Sequence, residues 1–343
     1  MVYLGVDLHR NRSSLVGLDE AGSVVLKRSI PSEPEAFRGV FGELGPGPIE
    51  VAFEATYGWG WFADLLTGAG VTGHMVHPLA TKAIATARVK NDTVDARTLA
   101  DLLRTHFLAE AWMAPLEVRE ARRLVRTRTA LVRIRSRLKS QVHALLADHG
   151  VRLNVSDAFG REGRRLLAAL TLPPVSEHRL AAHLRLIDAL AAEIALADRQ
   201  IRDHFRGDDR IRRLTPIPGI GFLAAATITA EIWDVGRFGS PEQLTSWAGL
   251  TPTERSSADH VRRGHISKQG SRMLRWIMVE AAVRVHDPEL RRFVAPIGRR
   301  RGDKIARVAL ARRLLSLVFY ALRDEGGCRA YPVSPRSARA RSR

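Results

Sequence analysis

From Leu124 onward a leucine returns at every seventh residue, Leu131, Leu138 and Leu145, with Val125, Val132 and Leu146 beside them. After a break at Pro173-Pro174 the spacing resumes at Leu180, Ile187, Ile194 and Ile201. A seven-residue apolar period keeps one stripe of a long helix turned toward another helix, so two long paired helices are expected here. Arg128 and Arg135 fall where a strict two-stranded seam would be apolar, which argues against a clean zipper. The pattern reads as a helical hairpin or coiled coil able to bring subunits together, with an ordinary helix pair within one chain as the lesser alternative.

The texture differs on either side of this stretch. VYLGVDL, SSLVGLD and VVLKRSI are short β-rich runs separated by HRNR and DEAGS, which predicts three antiparallel strands in a meander. A helix is expected over residues 33–44, a buried strand at IEVAFEA, a helix over residues 58–67, and a further strand at VTGHMVH. The expected class is therefore multidomain α/β plus α. A mixed-sheet domain spans 1–113, a coiled-coil or hairpin middle 114–207, a helical domain 208–325, and a disordered basic tail 326–343. In the helical domain, Pro218-Gly219-Ile220-Gly221 lies between two apolar helical runs. This is the pattern of a helix-hairpin-helix, in which Gly219 and Gly221 would let backbone N–H groups approach phosphate.

Charge narrows the function. Lys and Arg number 54 against 36 Asp and Glu, a formal net charge of +18, in a chain whose hydrophobic content of 45% supports a packed core. Such a surface suits a strong polyanion, and nucleic acid is the leading class of partner. No apolar run approaches the roughly 20 residues of a membrane-spanning helix, and no signal-like segment opens the chain, so a cytoplasmic protein without a membrane partner is expected. The single cysteine, Cys328, excludes a disulfide framework and a cysteine zinc site, which leaves oxygen or imidazole to hold any metal.

Four carboxylates stand out against that positive background. Asp7 ends the first strand, where a turn or helix cap is the ordinary explanation. Glu54 ends the apolar run Ile49 to Phe53, where a charge is costly unless something pairs it, and a salt bridge to an arginine is the ordinary explanation. Asp92 and Asp95 open KNDTVDARTLADLLR and share one helix face, a placement that would also suit a positive helix end. Two acids at strand ends and two at a helix start make an oxygen donor set for Mg²⁺ in phosphoryl transfer. The opening YLGVDLHRNRSSLVGLDEAG also has the outline of an actin-like or sugar-kinase hairpin. His9-Arg10-Asn11-Arg12 fills the place where those folds need small residues to wrap phosphates, and no second phosphate loop follows.

GVDLH, the strand ending in FEAT, KNDTVDARTLADLLR, PGIG, SWAGLTPTERSS and ISKQGSRMLRWIMVEAA, in that order, resemble the DEDD transposases of the insertion-sequence 110 family and their pilin-type DNA-invertase relatives. The resemblance covers about residues 2 to 325. It implies a resolvase-like, ribonuclease-H-related first domain, a coiled-coil middle and a helical transposase domain. On that analogy Asp7, Glu54, Asp92 and Asp95 bind Mg²⁺, and a serine after the Gly249-Leu250-Thr251-Pro252 turn attacks DNA to form a phosphoserine. Ser256 and Ser257 compete for that role. The family's Ser-Gly aligns with Ser257-Ala258 and favours Ser257, although Ala258 departs from the glycine.

The family is also thought to use a structured bridge RNA that pairs with donor and target DNA, and the spread of basic charge agrees with an RNA partner. Arg255, Arg262, Arg263, Lys268 and Arg272 lie close to the serines in sequence and are candidates to clamp flanking phosphates. The expected protein is thus an Mg²⁺-dependent transposase acting on insertion-sequence ends as a homo-oligomer, a dimer or tetramer. Its rivals are a Holliday-junction resolvase that uses the four acids with water, and a non-catalytic nucleic-acid-binding scaffold.

Overall fold

A computed structural model describes residues 1–56, 58–77, 92–257 and 260–324, with backbone only for 255–257 and 260–263. The basic tail and Ala258 lie outside the described residues. The chain divides into two compact units, Met1–Glu117 and Val118–Arg343.

The first unit is a five-stranded mixed sheet. Strands β1 (Val2–Asp7), β2 (Arg12–Leu18) and β3 (Val24–Pro31) form the antiparallel meander that their turn residues predict. Strands β4 (Ile49–Glu54) and β5 (Thr72–Val76) add in parallel on the other side of β1, giving the order β3-β2-β1-β4-β5. Parallel pairing requires crossovers, and helices α1 (Pro34–Glu43) and α2 (Trp59–Gly68) supply their helical parts. Leu4, Val6, Val51 and Phe53 point to one face and pack with Phe37 of α1 and Phe62 of α2. Phe62 centres the layer, its ring 4.7 Å from that of Phe37 and 5.1 Å from that of Phe53.

The opposite face carries α3 (Asp92–Arg104), the first element after the stretch 78–91 that lies outside the described residues. Leu99 and Leu103 pack on Tyr3, Ala52 and Val76, while Ala96 and Ala100 meet Val16 and Leu18. Strand alternation puts Tyr3, Gly5 and Asp7 together on this face, and the pairing of Gly5 with Ala52 puts Glu54 there too. The order and mixed pairing of this sheet are consistent with a ribonuclease-H-like domain.

The second unit is helical apart from one hairpin. Its longest elements are α4 (Leu116–Asp148) and α6 (Pro174–His204), with the short α5 (Arg161–Ala168) between them. Val142, Leu145 and Leu146 of α4 pack with Leu180 and Ile187 of α6, and Arg128 reaches across to Asp198 at 2.8 Å. The two helices therefore run antiparallel within one chain. On α6 the seven-residue repeat Leu180, Ile187, Ile194, Ile201 is buried throughout. On α4, Leu124, Leu131 and Leu138 are only half-buried, and Arg128 stands in the seam as an ion-pair partner.

Beyond α6 the chain folds as α7 (Asp209–Leu214), α8 (Phe222–Ile232), α9 (Pro241–Trp247), the hairpin β6 (Pro252–Ser257) and β7 (His260–Ile266), then α10 (Arg272–Val283), α11 (Pro288–Arg301) and α12 (Asp303–Arg323). Its core is α8 and α12, where Ala225, Ala226, Ile228, Leu314, Leu315 and Val318 have no exposed surface. Last-turn carbonyls of a helix lack intrahelical donors, and on α8 arginines supply them. Arg122 donates to the Ala230 and Glu231 carbonyls, Arg237 to Ile232 and Arg210 to Trp233. Burial among like charges is the consequence: desolvation, with Arg122 close by, pushes the Arg237 guanidinium down to about 10.

Candidate active site

Strand register sets the frame of the site. Val6 pairs with Phe53, so Asp7 and Glu54, each the next residue and each the last of its strand, end at the same level on adjacent parallel strands. Just beyond them the two chains are tied together, because the Thr56 hydroxyl donates to the Leu8 carbonyl at 3.1 Å.

Helix α3 brings its first turn to this level. Its position is fixed by Gly5, where a Cβ would lie 1.9 Å from the Ala96 carbonyl oxygen and 2.6 Å from the Ala100 nitrogen. Helix backbone therefore rests directly on strand backbone, and Asp92, one turn before Ala96, is carried toward Asp7. His9 Nε2 stands 3.2 Å from Asp7 Oδ2 and 3.8 Å from Asp92 Oδ1, and among the described residues these three side chains gather possible ligand atoms within 4.8 Å of one another.

Burial and charge act on Asp7 together. It is 8% exposed, while Asp92 and His9 are open to solvent. Desolvation raises the Asp7 carboxyl above its ordinary value, the His9 charge opposes this, and the charges of Asp92 and Asp95 push it further up. A buried carboxyl raised in this way by its acidic neighbours suits a hard cation, which would relieve the repulsion. Two carboxylates with an imidazole fit a divalent metal.

Sequence reasoning singled out Asp7, Glu54, Asp92 and Asp95. Structure brings Asp7 and Asp92 into one cluster, sets Asp95 near enough to act on Asp7, and ends Glu54's strand beside Asp7's. His9 was assigned only a negative part, as a residue too large for a phosphate-wrapping hairpin. Its signal was the two-residue spacing in Asp7-Leu8-His9 at a strand end.

The other candidates lie in the second unit. Ser256 and Ser257 are the last residues of β6, and Ser257 pairs with His260 in the hairpin register. Their side chains, like those of Arg255, Arg262 and Arg263, lie outside the described residues. The hairpin's base is held by Ser267 N–H donating to the Thr251 carbonyl at 2.9 Å and Lys268 N–H to the Gly249 carbonyl at 3.1 Å. Lys268 is exposed and adopts a φ of 56°, unusual for a side-chain-bearing residue, and Arg272 is exposed in the first turn of α10. Gly219 has a φ of 85°, and a Cβ there would lie 2.3 Å from the Ala281 carbonyl oxygen, so packing against α10 already accounts for that glycine. Gly221 is exposed at the start of α8.

A family model named for the DEDD transposases of IS110 matches residues 4–150, and one described as "Transposase IS116/IS110/IS902 family" matches residues 211–295. The chain is 28% identical over 335 residues to a "Probable family 20 transposase" of Pseudomonas aeruginosa, covering 94% of this chain and 97% of that one. It is 25% identical to the transposase for insertion sequence element IS1111A of Coxiella burnetii, covering 93% and 89% of the two chains. Against the 43.6 kDa protein of insertion element IS110 from Streptomyces coelicolor it is 25% identical, with 94% of each covered. No helix of the described residues is long and apolar enough to cross a membrane. The chain belongs to the IS110/IS116/IS902 family of DNA transposases.

Proposed function

We propose that this transposase cuts and rejoins the ends of its insertion sequence with Mg²⁺ held by Asp7, Glu54, Asp92 and Asp95. The observation that carries this is the convergence of Asp7, His9 and Asp92 at the ends of two parallel strands and the start of α3. Mg²⁺ bound there would neutralise charge on the scissile phosphate and favour loss of a proton from the attacking hydroxyl. Asp7 and Glu54 provide fixed oxygens on the sheet, and Asp92 and Asp95 provide them from the helix. His9 holds Asp7 and Asp92 together before the metal binds.

The attacking group is a serine hydroxyl at the end of β6, Ser257 by preference over Ser256. Its Oγ bonds to phosphorus, the P–O3′ bond breaks, and the serine proton passes to the leaving 3′ oxygen. Attack by a 3′ hydroxyl on the phosphoserine reverses the step and joins the new partner. Lys268, Arg272 and the hairpin arginines Arg255, Arg262 and Arg263 bind the flanking phosphates, with Gly219 and Gly221 at a helix-hairpin-helix. The α4–α6 hairpin brings subunits together, and a structured RNA guides the choice of site. Three domains, 1–113, 114–207 and 208–325, divide these tasks.

The test is a covalent-adduct assay with Mg²⁺ and DNA spanning one end of the element and its flank. Wild-type protein is expected to give a protein–DNA adduct that survives denaturation, and Ser257→Ala neither adduct nor cut strand. Cutting that persists without an adduct in both Ser256→Ala and Ser257→Ala would replace the serine step with hydrolysis by the carboxylates alone. Activity that survives Asp7→Ala and Asp92→Ala would leave only a binding scaffold.

A further inference from the structure

The corner between α11 and α12 concentrates positive charge on an exposed surface of the second unit. Among the residues of α11 only Leu290 is buried, so this helix contributes little to the core. Arg299, Arg300 and Arg301 end it, and Lys304 and Arg307 follow within the first turns of α12, with Asp303 the one acid among them. All five cations are exposed. Arg292, seven residues before Arg299 and so on the same helix face, extends the row by about 10 Å along α11.

Some surface arginines elsewhere in the unit are matched with nearby acids: Arg165 with Glu162, Arg206 with Asp203, Arg212 and Arg213 with Asp209. At this corner five cations stand within nine residues, with one acid, Asp303, among them. Helix electrostatics explains part of the arrangement, because cations in the last turn of α11 suit its negative end. The same effect opposes Lys304 and Arg307, which sit near the positive end of α12. Like charges crowded there raise the free energy of the isolated protein, and a bound polyanion would offset it.

We propose that the α11–α12 corner is a docking surface for the phosphate backbone of duplex DNA, the double-stranded flank beside the site where strands are exchanged. DNA is the substrate class of the family, and a duplex presents one negative charge per about 1.7 Å of its axis, a density that a row of cations along a helix can follow. Backbone contact of this kind positions a duplex without reading its sequence. The surface is independent of the carboxylate cluster and of the serine chemistry, and rests only on the protein's being a DNA transposase.

The test is equilibrium binding of the full chain, in EDTA, to a labelled 30-base-pair duplex of arbitrary sequence and to an RNA hairpin of equal charge, across a salt series. Neutralising Arg299, Arg300, Arg301, Lys304 and Arg307 to Gln is expected to weaken duplex binding about 30-fold near 0.1 M salt. The slope of log affinity against log salt should flatten by about three, the count expected when three to four phosphate contacts are lost. Replacing the four arginines by lysine should keep duplex affinity within about threefold. Neutralising Arg165, Arg206 and Arg212, which have acid partners, should leave the slope unchanged. An unchanged slope in the corner variant, with its fold intact by circular dichroism, would overturn the proposal, as would a loss confined to RNA. Since metal is absent throughout, failure of the carboxylate reading would leave these results untouched.

Discussion

Gly5 and Ala96 meet backbone to backbone: a Cβ on Gly5 would lie 1.9 Å from the Ala96 carbonyl oxygen, so α3 can rest this closely on β1 only because residue 5 has no side chain. Because Asp7 is two residues along that strand and Asp92 one helical turn before Ala96, this single contact sets the distance between acids 85 residues apart in sequence.

Gly5→Ala therefore separates folding from the site. Overpacking of this kind costs about 1–3 kcal/mol and is relieved by lifting the helix. The variant is expected to fold with a lowered melting temperature and to lose the stabilisation that Mg²⁺ confers on the wild type. Thermal melts with and without Mg²⁺ check this.

Asp7 gives the apo protein a pH signature of definite sign. Its carboxyl is raised in the fold, chiefly by burial, so the native state holds this proton to higher pH than the unfolded chain does. Stability of the metal-free protein should then increase as pH falls through the raised value, and level off below the ordinary carboxyl range. Asp7→Asn should abolish that dependence and make the apo protein more stable at neutral pH, while eliminating its response to Mg²⁺. Denaturant titrations of both proteins between about pH 4 and about pH 7 test the sign.

In the second unit the buried carboxylate of Glu231, 1% exposed, accepts from Arg126 at 2.8 and 2.9 Å and from the Ser271 hydroxyl at 2.8 Å. Ser271 also caps α10, so the network ties α4, α8 and α10 together. Arg126→Met should cost about 2 kcal/mol, less than for a fully buried pair because the arginine is half exposed. Adding Glu231→Gln should recover part of that loss, which a double-mutant cycle by chemical denaturation measures.

Glu54 ends its strand level with Asp7. Glu54→Gln preserves shape and removes charge, so strand cleavage should fall on the order of 100-fold or more while the melting temperature of the apo protein changes little, a ligand loss at least matching the effect of losing an outer-shell partner. Cleavage rates on element-end DNA, set beside melts of the same preparations, provide the check.

What the sequence disclosed follows from the range of the interactions. The β1–β3 meander was legible because turn residues act locally, and the buried repeat on α6 because heptad spacing is local too. Burial on α4 was less legible: Leu131 and Leu138 are only half-buried, and the Arg128 that spoils the seam is satisfied by Asp198 on the other helix, a contact 70 residues away. The charge ending an apolar strand pointed to Glu54. His9 gave little signal, because its partnership with Asp92 depends on where α3 lands, and that depends on a glycine whose purpose is visible only once Ala96 lies over it. Gly219 shows the reverse case, a motif glycine that packing against Ala281 accounts for without any ligand.

The central claim is that the Asp7–His9–Asp92 cluster, with Glu54 and Asp95, holds the divalent cation. Calorimetric titration of Mg²⁺, and of Mn²⁺ as a tighter-binding substitute, into the full chain and its Asp7→Asn/Asp92→Asn variant tests this most directly. The account predicts saturable binding to the wild type that disappears in a variant of unchanged fold. Equal binding by both proteins would contradict it.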